Sequence, residues 1–237
     1  MTIQALWIGP ALSPMERLSL SSFIAAGHDV HLYVYDQVAH VPAGVVVRDA
    51  NQILPSSRIF RYREHDSVAG FANHFRYKLL LERGGWWADT DIVCLRPFDF
   101  EEQYVVASEK AHGKTIVTNC VMRVPAGSPA VEEAWRTCES VDPSTLEWGQ
   151  TGPKLWGDIV RRHDLDRYIQ PPTTFCPIPW YEWRRLIDPG AVVHLPKTTY
   201  AIHLWHEMWR RGRADKARTY HHRTLYEQLK QRVREQE

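Results

Sequence analysis

Asp89-Thr90-Asp91 is the stretch where this 237-residue sequence most plainly offers chemistry. Residues i and i+2 of a β-strand point the same way, so at a strand end both carboxylates reach one hard divalent cation, which also takes two phosphate oxygens. A D-x-D pattern alone often marks no more than a solvated turn. Here it interrupts a run, Trp86 to Leu95, that is apolar or aromatic at every other position. Two carboxylates in such a run are expensive to bury without a cation, and that conflict between local pattern and charge marks a site. A metal-diphosphate role is expected there, with a structural carboxylate pair as the competing reading.

An alternation of strands and helices has to carry this pair into place. Ala5 to Ile8 reads as a short apolar strand ended by Gly9-Pro10. A helix over 14–26 follows, with Ser13 as N-cap, Pro14 at its first position, Glu16 closing a capping box and Gly27 at the C-terminal cap. Val30 to Tyr35 predicts a second strand and Val45 to Val47 a weaker third. Ser67 predicts the cap of a longer helix reaching Arg83, with Phe71, Phe75 and Leu79 on one face and Gly84-Gly85 ending it. The strand expected to hold the aspartates, 86–95, begins at once. Strands at 104–107 and 115–122, a helix from Ser128-Pro129 to Ser140 and a short strand at 201–204 complete the pattern. Pro171, Pro172, Pro177 and Pro179 break the chain between the last two into loops. With no linker or repeat, residues 1–237 read as one α/β domain.

Composition narrows the functions open to such a domain. With 44% hydrophobic and 24% charged residues the chain is of ordinary globular type. Lys plus Arg (29) nearly cancels Asp plus Glu (28), which argues against nucleic acid as a partner and requires any electrostatic site to be local. Cys94, Cys120, Cys138 and Cys176 form no C-x-x-C pair, so all four are expected to be buried structural thiols rather than zinc ligands or disulfides. Met1 to Met15 carries Pro10 and Pro14 and lacks a basic start, so neither a signal peptide nor a membrane span is expected, and the cytoplasm is the expected location. Ten Trp, ten Tyr and seven Phe raise the prospect of ligand stacking, although core packing accounts for most of them. From Arg210 onward nine Lys or Arg face four acids, and this basic tail ends in an amphipathic helix. It reads either as a solvated face or as a peripheral contact with an anionic membrane surface.

The stretch F-A-N-H-F-R-Y-K-L-L-L-E-R-G-G-W-W-A-D-T-D at 71–91 resembles the sugar-binding D-x-D region of glycosyltransferase family 32. That group includes α-1,4-galactosyl- and α-1,4-N-acetylglucosaminyltransferases, yeast-type mannosyltransferases and, more remotely, the clostridial glucosylating toxins. L-W-I-G at 6–9 and A-I-H-L-W-H at 201–206 match two further blocks in the same order. The resemblance implies a GT-A type, Rossmann-like α/β fold with a mainly parallel central sheet. It also implies transfer of a hexose from a UDP-sugar to a saccharide or glycolipid acceptor, with retention, and with Mn²⁺ or Mg²⁺ on the diphosphate. On this reading 1–125 is the nucleotide-sugar-binding half, 126–209 the acceptor side and 210–237 the tail.

Residue by residue, the resemblance puts Trp7 against the nucleobase, with Ile8 and Gly9 supplying backbone there, and makes Trp87 a second base-contacting aromatic. Trp87 and Asp89 are expected to share a strand face and point together into the cleft rather than the core. Asn73 and Arg76, one helical turn apart, match a pair holding donor-sugar hydroxyls and the phosphate side, although many relatives carry Asp at the position of Asn73. Asp89 is implied to contact ribose and cation, Thr90 to line the donor, and Asp91 to be the direct metal ligand. His203 completes the metal shell, and His206 binds the metal or the diphosphate. Asp89, Asp91 and Arg76 are the expected catalytic residues. Asn119 opens a segment resembling the loop under the donor sugar, and Thr151 falls in a motif facing the reacting carbon; a turn asparagine and a helix N-cap are their plain readings. Trp205 is expected in the core.

Three rival readings bear on the same residues. A D-x-D phosphotransferase needs its nucleophilic Asp on the first strand, whereas this motif follows a β-α-β unit and a long helix. A catalytically weak nucleotide-sugar-binding protein of the same fold, and a GDP-mannose-dependent mannosyltransferase, are the alternatives closer to hand.

Overall fold

The computed structural model describes residues 1–64 and 66–234; Glu235 and Glu237, two of the tail's acids, lie outside the described residues. Its strands are β1 (Thr2–Trp7), β2 (Asp29–Val34), β3 (Val45–Asp49), β4 (Gly85–Ala88), β5 (Ile92–Cys94), β6 (Val105–Ala111), β7 (Lys114–Val124) and β8 (Ala201–His203). Six of them form one sheet in the order β3-β2-β1-β4-β7-β6, and β5 pairs with β8 outside it. The four strands from β3 to β4 run parallel, and β7 and β6 join antiparallel at one edge. The sheet is therefore mainly parallel, and its central strands are buried on both faces.

The helices are α1 (Pro14–Ala25), α2 (Ala69–Arg83), α3 (Pro129–Ser140), α4 (Leu155–Arg162), α5 (Pro172–Phe175), α6 (His206–Arg211) and α7 (Leu225–Arg234). Each face of the sheet closes over its own core. Phe71, Phe75 and Leu79 of α2 pack with Val131 of α3 and Trp156 of α4 on one side. Met15 and Phe23 of α1 pack with Phe175, Trp209 and Tyr226 on the other. Helix α1 starts as its sequence dictates: the Ser13 hydroxyl accepts from the Met15 N–H at 3.3 Å, and the Ser13 N–H donates to Glu16 at 2.8 Å. Helix α2 ends at Gly84, where φ is +62° and an added Cβ would stand 2.3 Å from the Ala126 nitrogen, so no other residue fits.

Three expectations change. The strand foreseen over 86–95 breaks in two: β4 ends at Ala88 inside the large sheet, and β5 starts at Ile92 to pair with β8. Residues 89–91 are the turn between them, closed by the Ile92 N–H donating to the Asp89 carbonyl at 3.1 Å. Ser67 does not cap α2 in the expected position, because the N-cap residue is Val68; the Ser67 hydroxyl accepts instead from the Ala69 N–H at 3.3 Å. The basic tail is docked: Tyr226, Leu229 and Val233 are buried, with α7 packed on α1. No helix among the described residues is long and apolar enough to cross a membrane.

Trp87 is also displaced from its expected place. It is 1% exposed and packs against Phe75, with ring centroids 6.4 Å apart, while Trp86 faces the opposite core beside Phe98 and Phe100. A base needs an open ring face to stack on, and Trp87 presents none; the β-strand alternation that was read as aiming it at the cleft aims it into the core. Trp87→Ala should therefore cost about 3–5 kcal/mol of stability, and Trp87→Phe less than about 2 kcal/mol, as measured by denaturant midpoints. An alanine variant as stable as the parent would put the ring outside the core.

His74 on α2 supplies a pH test of the same core. It is 5% exposed against Phe60, and burial lowers its pKa to about 4, with Arg58 adding to the effect. Below the ordinary pKa of 6.5 the unfolded imidazole takes a proton that the folded one refuses until about pH 4, so stability falls as pH drops through that window. His74→Phe should flatten this slope by close to one proton, measured by urea unfolding between pH 7 and pH 4.5. An unchanged slope would show that His74 takes its proton in the folded state.

Candidate active site

The break after β4 is what brings the acidic pair to the surface of the core. Asp89 leaves the end of β4 with its N–H donating to the Cys120 carbonyl on β7 at 2.9 Å. Its Oδ1 receives two donors: Trp87 Nε1 at 2.9 Å and the Arg76 guanidinium at 2.9 Å. Trp87 thus takes part through its ring nitrogen and not through a stacking face. Arg76, nearly buried, also donates to the Asn119 carbonyl and lies over the Trp87 ring, 4.9 Å from its centroid. Asn119 in turn donates to Asn73 at 2.9 Å and to the Tyr77 hydroxyl at 3.1 Å, tying β7 to α2. The pair Asn73 and Arg76 and the isolated Asn119 are therefore parts of one network that ends on Asp89.

Asp91 is held from the other side. His203 Nε2, at the end of β8, lies 3.2 Å from Asp91 Oδ2, and the His206 backbone N–H donates to the same oxygen at 2.8 Å. Ligand atoms of Asp89, Asp91 and His203 all fall within 4.8 Å of one another, a set of hard oxygens and one imidazole that suits Mn²⁺ or Mg²⁺. Burial pushes Asp89 up to about 6 in spite of Arg76 beside it, and the like charge of Asp91 adds to the rise. Burial opposes ionisation of Asp91 as well, but His203 and the His206 N–H outweigh it and hold that carboxyl well below the ordinary range. His203 is correspondingly raised: burial lowers it, and the charge of Asp91 more than compensates. A half-buried and a buried acid with opposite shifts are the electrostatic mark of a built site. Thr90, half-buried, sits at the tip of the turn between them.

The imidazole of His206 does not join this group. Its Nε2 lies 3.0 Å from Lys216 Nζ, which is bonded at 2.5 Å to the buried Glu16, and burial together with Lys216 keeps His206 below its usual pKa. The metal-ligand groups among the described residues do not include it, and its hydrogen bond to Asp91 comes through the backbone. Lys216 was missed in the sequence because its partners stand far away, at 16 and 206. Its ammonium also lies 5.5 Å from the Trp7 ring centroid, next to the first strand's end.

Trp7, Ile8 and Gly9 line a cavity of about 140 Å³ together with Tyr35, Asp36, Val38, Ser56 and Ile59. Trp7 Nε1 is buried without a hydrogen-bond partner among the described residues. Tyr35 and Asp36 were not singled out in the sequence, although their place after β2, beside the end of β1, is where parallel sheets bind ligands. Thr151 stands apart from the acidic pair: it is buried in a π-helical turn, Gln150–Lys154, near Tyr62, and it does not cap α4, whose N-cap residue is Lys154. In the same turn Gly152 passes so near Asn73 that an added Cβ would lie 3.0 Å from its Nδ2. Trp205, in the core as expected, stacks on His203 with centroids 3.7 Å apart.

Residues 144–233 match the family described as the alpha 1,4-glycosyltransferase conserved region, a segment that contains His203, His206 and Lys216 but not the aspartates. Human alpha-1,4-N-acetylglucosaminyltransferase is 25% identical over 208 residues, covering 81% of this chain and 57% of the relative. Human lactosylceramide 4-alpha-galactosyltransferase is 30% identical over 74 residues, 25% of this chain and 21% of the relative. The chain thus spans little more than half of the first and about a fifth of the second. Among solved structures, the PaToxG glycosyltransferase superposes with a TM-score of 0.50 at 13% identity, covering 68% of each chain. The fold is that of the GT-A glycosyltransferases, and in its ordered motifs and its 144–233 segment the chain is similar to the α-1,4-glycosyltransferases of family 32.

Proposed function

We propose that this chain is a glycosyltransferase that moves a hexose from a UDP-sugar to a saccharide or glycolipid hydroxyl. The observation that carries the reading is the convergence of Asp89, Asp91 and His203 at the end of β4, beside a buried arginine. The α-1,4-glycosyltransferase relatives support the reaction class.

Each part of the site has a task. The cavity of Trp7, Ile8, Gly9, Tyr35 and Asp36 takes the base and ribose end of the donor, with Trp7 offering its ring and its unpartnered N–H. Asp89, fixed by Arg76 and Trp87, and Asp91, fixed by His203 and the His206 N–H, hold the divalent cation, with Thr90 lining the donor between them. Mn²⁺ or Mg²⁺ bound there neutralises the diphosphate as the glycosidic bond breaks. Asn73 and Asn119 face the sugar side from α2 and β7, and Thr151 lies behind them in the turn at 150–154. Arg76 presents positive charge beneath the phosphates and keeps Asp89 oriented. Since both carboxylates are engaged by their own partners, neither is a free general base, which supports a retaining course in which the acceptor attacks the face the leaving group departs from.

Calorimetry of UDP with and without Mn²⁺ tests the cation's role, because two carboxylates beside a diphosphate repel it in the cation's absence. UDP affinity should fall at least about tenfold without the cation, and equal affinities would remove the metal bridge. Asp91→Asn should lower transfer from the preferred UDP-sugar by more than about a hundredfold with the fold intact by circular dichroism. Transfer within tenfold of the parent would exclude Asp91 as a ligand. A panel of nucleotide sugars assayed for cation-dependent hydrolysis identifies the donor, and turnover of GDP-mannose alone would replace the UDP reading.

A further inference from the structure

Beneath the acidic pair lies a second cluster that the transfer reaction does not use. Cys120 on β7 and Cys176 after α5 are both buried, with their sulfurs 3.6 Å apart. Cys176 Sγ lies 3.9 Å from His203 Nδ1, the ring nitrogen opposite the one that meets Asp91. The three ligand atoms fall within 4.8 Å of one another. We propose that Cys120, Cys176 and His203 form a soft-metal site, suited to Zn²⁺, directly behind the hard-cation site and joined to it through the two nitrogens of one imidazole.

The distances select this reading. With Zn–S of about 2.3 Å and Zn–N of about 2.0–2.1 Å, tetrahedral geometry places two sulfurs about 3.8 Å apart and a sulfur about 3.6 Å from the nitrogen. The observed 3.6 and 3.9 Å lie close to both values, whereas a disulfide would need the sulfurs to close to about 2.05 Å. The histidine is fixed in the orientation required. Trp205 stacks on its ring, and Trp205 is itself anchored by Nε1 donating to the Ile178 carbonyl at 2.8 Å. With zinc on Nδ1, the Nε2 proton donates to Asp91, so His203 then serves the hard-cation site by orienting that carboxylate and not as a ligand of its cation.

A fourth group is at hand. Glu109 on β6 is 6% exposed, its Oε2 has no hydrogen-bond partner among the described residues, and it interacts electrostatically with Cys120, Cys176 and His203. A buried carboxylate with an unsatisfied oxygen is costly unless something cationic faces it. Two thiolates neutralise a divalent ion, and Glu109, kept protonated by burial that pushes it up to about 7, would border the site without adding charge to it. Cys94 and Cys138, by contrast, are buried away from the cluster and belong to no such group.

The inference stands apart from the transfer reaction, since zinc retained by a chain with no donor turnover leaves it intact. The full chain, expressed in zinc-supplemented medium and washed with chelator, should hold about one zinc by elemental analysis. Cys120→Ser and Cys176→Ser should each reduce that at least about tenfold, while Cys94→Ser and Cys138→Ser leave it unchanged. Because a serine in this core can unfold the chain, the folded parent is read independently. Replacing its zinc with Co²⁺ should give the thiolate charge-transfer absorption and d–d bands of a tetrahedral site. A parent that takes up neither metal, a cobalt band kept by both serine variants, or two of the four thiols lost to a disulfide would each overturn the site.

Discussion

Keeping two carboxylates within reach of one another at the edge of a hydrophobic core is the constraint that the rest of this structure serves. Like charges at that separation, partly out of water, repel strongly, and neither is tolerated without donors of its own. The chain supplies these from opposite directions. Asp89 takes Arg76 from α2 and the Trp87 indole from β4, while Asp91 takes His203 from β8 and the α6 backbone. Two stretches more than a hundred residues apart, α2 with β4 and β8 with α6, thus meet at one turn. Much of the topology, including the departure of β5 from the large sheet to pair with β8, is what allows that meeting.

The network is rigid because its inner members are satisfied by one another. Arg76 joins Asp89 to the Asn119 carbonyl, Asn119 joins Asn73 and Tyr77, and Gly152 packs on Asn73. Removing one partner would leave another buried polar group uncompensated, which costs more than the bond itself contributes. A donor sugar bound here would meet groups already held in place, so little ordering would remain to be done on binding.

Local signals in the sequence were read well where they act locally. The Ser13–Glu16 capping box, the glycines that end α1 and α2, and the apolar face of α2 all depend on neighbours a few residues away, and the structure has them as expected. The acidic turn stood out for the same reason, since two charges in an apolar run conflict with their own surroundings. Its local shape was not legible. Nothing within Trp86–Leu95 distinguishes one strand from two, because what separates β4 from β5 is the choice of partner, β7 in one case and β8, more than a hundred residues on, in the other. Trp87 followed from the same misreading. The approach of Cys120 to Cys176 was not legible because they lie 56 residues apart and meet only through the fold, and Lys216 escaped notice because it lies 200 residues from Glu16.

The tail shows how such long-range pairing reaches the site. Glu16 is fully buried; one carboxylate oxygen closes the cap of α1 and the other binds Lys216, whose carbonyl accepts the Tyr226 hydroxyl at 2.8 Å. Tyr226, Leu229 and Val233 then seat α7 on the core that also covers β5 and β8. Lys216 is thus a half-buried cation held by the buried Glu16, and it borders both the His206 ring and the Trp7 ring. The chain after α6 is consequently part of the wall between the two ends of the proposed donor site, and its packing bears directly on how that site is shaped.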